Sequence, residues 1–193
     1  MKFTHISSEE FKINTWSGGT TTQLFIYPPT ANYQQQNFNF RLSSATVEIE
    51  ESTFTLLPRV SRKLIILEGN ITINHKNHYS KQLKKWDIDS FEGNWETSSI
   101  GKCTDFNLMT TGNTSSDLSF LKLGKGKNIN YELENQWDWV FIYVGGGKLD
   151  VNIKDRLQHL KTGDLFVIKD VISSMVKITC SENSELVISK IKI

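Results

Sequence analysis

Cysteine and proline are scarce in this chain of 193 residues, which has two of the first and three of the second. Cys103 and Cys180 stand far apart, each beside a strand-like segment and without metal or redox spacing, so they read as reduced core thiols rather than a disulfide framework. Charge of one sign is also missing. Lys and Arg together number 22 against 21 Asp and Glu, a formal charge of +1, which leaves no electrostatic footing for a nucleic-acid or anionic-membrane partner. Long hydrophobic runs are absent as well. The opening Met1-Lys2-Phe3-Thr4-His5-Ile6 reaches Glu9 and Glu10 without a continuous apolar stretch, so neither a secretory signal nor a bilayer span is expected, and the chain reads as soluble and cytoplasmic.

Histidine is sparse, and its placement argues against a metal. His5 and His159 stand alone, and His75-Lys76-Asn77-His78 falls in a polar hairpin where two rings point to opposite faces or to water. No set of three convergent ligands emerges, so no metal or other cofactor is expected. Nucleophilic catalysis lacks a signature too: there is no Gly-x-Ser-x-Gly elbow and no histidine near either cysteine. No catalytic residue is assigned. Leu123-Gly124-Lys125-Gly126-Lys127 lacks the helix context and the Ser or Thr of a phosphate loop and reads as a basic turn. Lys81, Lys84 and Lys85 beside Trp86 read as a solvated hairpin.

What is present is β structure. With 38% hydrophobic residues the chain can build a core, and the apolar positions recur at strand rather than helix period. Strands are expected at 20–27, 38–49, 53–57, 62–67, 70–75, 86–91, 95–100 and 103–110, with Glu68-Gly69-Asn70 and Glu92-Gly93-Asn94 as turns. Pro28-Pro29 stops the first, and the polar stretch 30–37 forms a mobile excursion. Thr110-Thr111-Gly112-Asn113-Thr114-Ser115-Ser116 marks a break between an N-terminal half, 1–110, and a C-terminal half, 111–193, packed as one compact unit. The second half repeats the pattern at 118–123, 129–134, 137–144, 148–153, 164–168, 174–180 and 185–192, with a hairpin turn at Val144-Gly145-Gly146-Gly147-Lys148. Ser7-Ser8-Glu9-Glu10 has capping-box spacing for one helical turn. The fold class is all-β, a sandwich or barrel with a hint of duplication.

Polar and glycine residues interrupt these apolar patterns at Trp16-Ser17-Gly18-Gly19-Thr20-Thr21-Thr22, at Arg41-Leu42-Ser43-Ser44-Ala45 and at Arg62 leading into Leu67-Glu68-Gly69. Alternate residues share a face, which groups Arg41 with Ser43, Ala45 and Val47, Arg62 with Leu64, Ile66 and Glu68, and Asp105 with Asn107 and Met109. If those faces line one barrel, two arginines and an amide meet in an apolar pocket suited to a carboxylate, because guanidinium grips it with parallel donors and stays charged when buried. Singly, each arginine reads as a strand-end surface charge paired with Glu48, Glu50 or Glu68. Trp16 reads equally as a barrel-end aromatic or a ligand-stacking ring. Gly18 and Gly19 read as a turn or as a close backbone approach, with Thr20 and Thr22 offering hydroxyls.

The chain resembles the HutD/Ves family, through Trp16-Ser17-Gly18-Gly19-Thr20-Thr21, Arg41-Leu42-Ser43-Ser44-Ala45, Arg62 with Leu67-Glu68-Gly69, Phe91-Glu92-Gly93 and Asp105-Phe106-Asn107-Leu108-Met109, in the family's order over about the first 110 residues. It departs at Ser17, where asparagine is common in the family, and at Thr110-Thr111, where arginines are. The resemblance implies a double-cupin (bicupin) fold, an association with histidine utilisation in some bacteria, and binding of a small acidic metabolite without firmly established catalysis. The expected reading is therefore a ligand-binding, regulatory bicupin in which Arg41, Arg62, Asn107, Ser43, Trp16, Gly18, Gly19 and Thr20 line the site. Its alternatives are a metal-free enzyme using Glu68 or Asp105 as general base, and a protein-interaction module using a sheet edge. Sandwich edges are also compatible with a homodimer.

Overall fold

The computed structural model describes residues 1–154 and 156–193. Its strands are β1 (Lys2–Ile6), β2 (Ile13–Trp16), β3 (Gly19–Tyr27), β4 (Phe40–Val47), β5 (Glu51–Thr53), β6 (Val60–His75), β7 (Tyr79–Lys84), β8 (Ile88–Glu92), β9 (Thr97–Ile100), β10 (Cys103–Thr111), β11 (Ser115–Leu123), β12 (Asn128–Leu133), β13 (Trp139–Gly146), β14 (Lys148–Ile153), β15 (Arg156–Lys161), β16 (Leu165–Lys169), β17 (Ser174–Cys180) and β18 (Ser184–Lys192). The fold is all-β, as the strand-period pattern requires. Among the described residues helix is confined to one 3-10 turn, Ser8–Glu10, closed as a capping box in which the Ser7 amide donates to Glu10 Oε1 at 2.8 Å. Among the described residues no helix is long and apolar enough to cross a membrane.

The strands fall into two compact units, Phe11–Thr114 and Met1–Glu10 with Ser115–Ile193. The first ten residues therefore leave the half to which the sequence reading assigned them. β1, too short and polar to stand out in the sequence, pairs antiparallel with β16. Asp164, 2% exposed, ties down the segment after it by accepting from His5 Nε2 at 3.0 Å and from the Ser8 amide at 2.9 Å. Those bonds hold the Asp164 carboxyl below its ordinary range against the opposing effect of burial. The expected boundary at residue 110 falls inside β10, and the division comes at Thr114.

In that second unit a five-stranded sheet (β1-β16-β13-β18-β11) and a four-stranded sheet (β12-β17-β14-β15) enclose an apolar core that includes Val140, Ile142, Val151, Ile178 and Leu186. Its central strands are buried in continuous runs, Trp139–Ile142 in β13, Leu165–Ile168 in β16 and Leu186–Ser189 in β18.

The first unit carries a nine-stranded sheet ordered β2-β3-β4-β10-β6-β9-β5, with β7 and β8 also pairing β6. The turn expected at Glu68-Gly69-Asn70 is instead the middle of β6, a single strand of 16 residues. Asp105 lies opposite Ile66 and Thr104 opposite Glu68, so Leu67 is the extra residue of a β-bulge. The bulge lets one strand serve two neighbourhoods: residues 61–65 pair with β8, while residues 70–75 pair with β7 and residues 72–75 with β9. Gly69 follows it at φ 80°, where a Cβ would lie 2.3 Å from the Lys102 carbonyl oxygen. Only glycine fits there, because both the dihedral and the backbone approach exclude a side chain. Between β3 and β4 the excursion is a closed loop, in which the Asn32 amide donates to Asn37 Oδ1 at 2.7 Å and the Asn39 amide to the Tyr27 carbonyl at 2.7 Å.

Gly69→Ala is expected to destabilise the protein by about 2 kcal/mol or more, since strained backbone and a backbone clash add. Urea unfolding checks this: the midpoint falls while the slope is unchanged.

Candidate functional site

Strand β10 lies between β4 and β6, and its register sets the site. Met109 is opposite Arg41 on one side and Arg62 on the other, Asn107 is opposite Ser43 and Leu64, and Asp105 is opposite Ala45 and Ile66. Directly opposed residues share a face, so the three rows present Arg41, Arg62, Ser43, Asn107 and Asp105 on the same side. β3 adds Gln23 opposite Ser43, and β8 adds Phe91 opposite Arg62. All of the five polar residues are buried, Arg41 at 5% exposure, Arg62 at 6% and Asp105 at 3%.

Arg41 is well held. Its Nε donates to Gln23 Oε1 at 3.0 Å and its Nη1 to Ser43 Oγ at 2.9 Å, while the Tyr33 ring covers its guanidinium at 4.4 Å. Arg62 is not. It stands between the rings of Phe54 and Phe91, at 5.0 and 5.1 Å, its Nη2 reaches Asn107 Oδ1 only at 3.4 Å, and its buried Nε has no acceptor among the described residues. Nε and Nη2 lie along one edge of the guanidinium, the edge a carboxylate grips with two parallel bonds. Burial lowers the pKa of both arginines.

Asn107 Nδ2 donates to Asp105 Oδ1, which turns the amide so that its carbonyl oxygen faces Arg62. Burial raises the Asp105 carboxyl from 3.8 to about 7, against the pull of Arg62, the Ala45 amide and Asn107. Asp105 also adds to the burial that pushes the Cys103 thiol up to about 12, so that thiol is not a nucleophile.

Four of the expected site residues, Arg41, Ser43, Arg62 and Asn107, come together in this way. Trp16, Gly18 and Thr20 do not join them. Thr20 pairs with Thr46, which bonds Thr104, in the row on the opposite face; the register puts Gly19, Thr21 and Gln23 on the arginine side, so choosing Thr20 and Thr22 took the wrong parity. Trp16 is 39% exposed, and a Cβ on Gly18 would lie 2.1 Å from its ring, so Gly18 makes room for Trp16. Gly19 packs its backbone on the Thr46 carbonyl. Glu68, offered as a general base, is exposed because the Leu67 bulge reverses the alternation after Ile66.

Alternation within one strand does not place Gln23, Tyr33, Phe54 and Phe91 at this site: Gln23 and Phe91 arrive through strand pairing, and Tyr33 and Phe54 through tertiary contacts of their rings. Nor does it reveal a second buried network: His75, read as a hairpin residue, is 1% exposed. Its Nδ1 bonds Thr97 Oγ1 at 2.8 Å and its Nε2 bonds Asp89 Oδ2 at 2.9 Å, while the Tyr79 hydroxyl donates to Asp89 Oδ1 at 2.9 Å. Burial, then that bond, pushes the Tyr79 phenol up to about 12. The His75 ring packs on Phe91 at 4.5 Å and so backs one wall of the arginine site. Among the described residues no three His, Cys, Asp or Glu side chains are grouped as a metal ion would need.

A profile of the HutD family matches residues 8–188. No curated protein matches the chain. Among solved structures, a conserved protein of unknown function from Pseudomonas aeruginosa is similar at a TM-score of 0.85 and 15% identity, covering 100% of both chains. HutD from Pseudomonas fluorescens, in a formate condition, is similar at 0.76 and 14% identity over 99% of this chain and 98% of that one. An oxalate decarboxylase from Lactobacillus farciminis, as a formate complex, is similar at 0.72 and 8% identity over 97% and 85%. At these identities the likeness establishes a cupin-type fold.

With its carboxyl at about 7 in the folded chain and an ordinary value of 3.8, Asp105 holds a proton that the unfolded chain releases between those limits. Its contribution to stability is therefore full below the lower limit and is lost as pH rises toward the upper one. Asp105→Asn removes this dependence. In urea unfolding from about pH 5 to 8, the variant is expected to gain on the wild type by up to about 1.4 kcal/mol per unit, levelling above 7; a constant difference contradicts the assignment.

Proposed function

The chain belongs to the HutD family, and on that footing we propose that it binds a small carboxylate between Arg41 and Arg62. The observation that carries this reading is the bare edge of Arg62, a buried guanidinium whose Nε has no acceptor among the described residues and whose Nη2 bond is long. A buried cation left short of partners costs several kcal/mol, and stacking between Phe54 and Phe91 returns about 0.5–2 kcal/mol each. A bound anion removes the deficit. Arg41, fixed by Gln23 and Ser43, supplies a second positive charge that needs no reorganisation on binding.

Formate, the condition of the similar HutD structure and the ligand of the similar oxalate decarboxylase complex, is the simplest probe. The histidine-pathway acids formylglutamate and urocanate complete a panel suggested by the family. One observation favours a second reading, in which the protein turns over the acid it binds: Asp105, beside Arg62, titrates near neutrality, where a general base is most effective. Product formation from a bound acid, lost in Asp105→Asn while binding is retained, separates the two.

A thermal-shift titration with formate, formylglutamate and urocanate is expected to raise the melting temperature of the wild type for at least one acid. Arg62→Ala is expected to lower that affinity by about 100-fold, as losing a bidentate charged pair does. A folded wild type that no carboxylate stabilises contradicts the reading.

A further inference from the structure

We propose that Tyr33 is the specificity-determining residue of the arginine site: its ring covers Arg41, its hydroxyl donates to the bound carboxylate, and together they restrict the site to small acids. The inference rests on the carboxylate reading and adds a residue from the excursion between β3 and β4, outside the segments that carry the family resemblance.

Three observations converge on it. The Tyr33 ring lies 4.4 Å from the Arg41 guanidinium carbon, which holds a partly exposed side chain over the site. The ring is seated against the cluster of Phe38, Leu57, Val60 and Met109, and Met109 is the residue paired with both arginines. Tyr33 is therefore built into the wall beside the row that carries the two charges. Finally, its phenol lies within electrostatic reach of both guanidiniums, where it offsets part of the lowering that burial imposes on the pKa of each.

The hydroxyl itself makes no hydrogen bond among the described residues. The proton of a phenol near two cations rotates about its C–O bond away from them, and it is best taken by an anion lying against the guanidinium edges. The Asn32 and Asn37 turn holds the loop in register without engaging the ring. With Tyr33 in place Arg41 is reached from its edge alone, since the ring occupies one face of the guanidinium. A bulky or aromatic acid meets the ring, whereas formate passes beneath it.

Formate and benzoate are the probes, titrated calorimetrically into wild type, Arg62→Ala, Tyr33→Phe and Tyr33→Ala. Tyr33→Phe keeps the ring and is expected to weaken formate by about tenfold, the worth of a hydrogen bond to a charged group. Tyr33→Ala is expected to weaken formate further and shift the formate-to-benzoate affinity ratio toward benzoate by about tenfold or more as the ring's space opens. Formate binding lost in Arg62→Ala but unchanged in Tyr33→Phe overturns this proposal and leaves the carboxylate reading standing, as does an unchanged ratio in Tyr33→Ala. Absence of binding to wild type overturns the carboxylate reading, and the role of Tyr33 with it.

Discussion

The row Arg41, Met109, Arg62 across three hydrogen-bonded strands is the constraint from which the rest follows. Two guanidiniums on one buried face are expensive, because desolvation of each cation costs several kcal/mol and is repaid only by good partners. Arg41 has them in Gln23, Ser43 and the Tyr33 ring. Arg62 has two aromatic rings and one long bond. A core built for stability alone would place Leu or Met there, and the adjacent row does hold Leu64. That charge deficit in a packed interior is the observation on which the carboxylate proposal rests.

The surrounding architecture keeps that deficit open. Were β6 regular, Glu68 would face the same side as Arg62 and supply a carboxylate. The Leu67 bulge turns it to solvent, and Gly69 allows the strand to bend onto its second set of neighbours. Asp89, which shares the β8 face with Phe91, is already engaged by His75, Tyr79 and Lys81. Asp105 is the carboxyl that Arg62 feels, and burial raises its pKa close to neutrality. The same His75 that occupies Asp89 packs on Phe91, so the second network both removes a competing anion and stiffens a wall.

Much of this was legible in the sequence, because strand period is strict: the faces of Arg41 with Ser43 and of Asn107 with Asp105 follow from alternation alone. Alternation identifies which residues share a strand face, but not which face meets which. Thr20 and Gln23 differ in parity, and only pairing with Ser43 and Thr46 assigns Gln23 to the arginines. A bulge is invisible to a period-two count, which groups Glu68 with Arg62 and reads the glycine that follows as a turn. Tyr33 and His75 were hidden for another reason: each stands in a polar stretch, and only tertiary contacts with Arg41 and with Asp89 draw their rings inward. The first ten residues show the same limit, since β1 gains its meaning from β16, more than 150 positions away.

The measurement that tests the central claim most directly is the side-chain Nε–H resonance of Arg62, assigned by its disappearance in Arg62→Lys and followed by nitrogen-15 NMR during a formate titration. The account predicts a saturable downfield shift of the Arg62 proton as the unpaired donor gains an anionic acceptor, with slowed exchange against water. A resonance that stays in place while formate saturates, or that shows the Nε–H already bonded in the free protein, would contradict it.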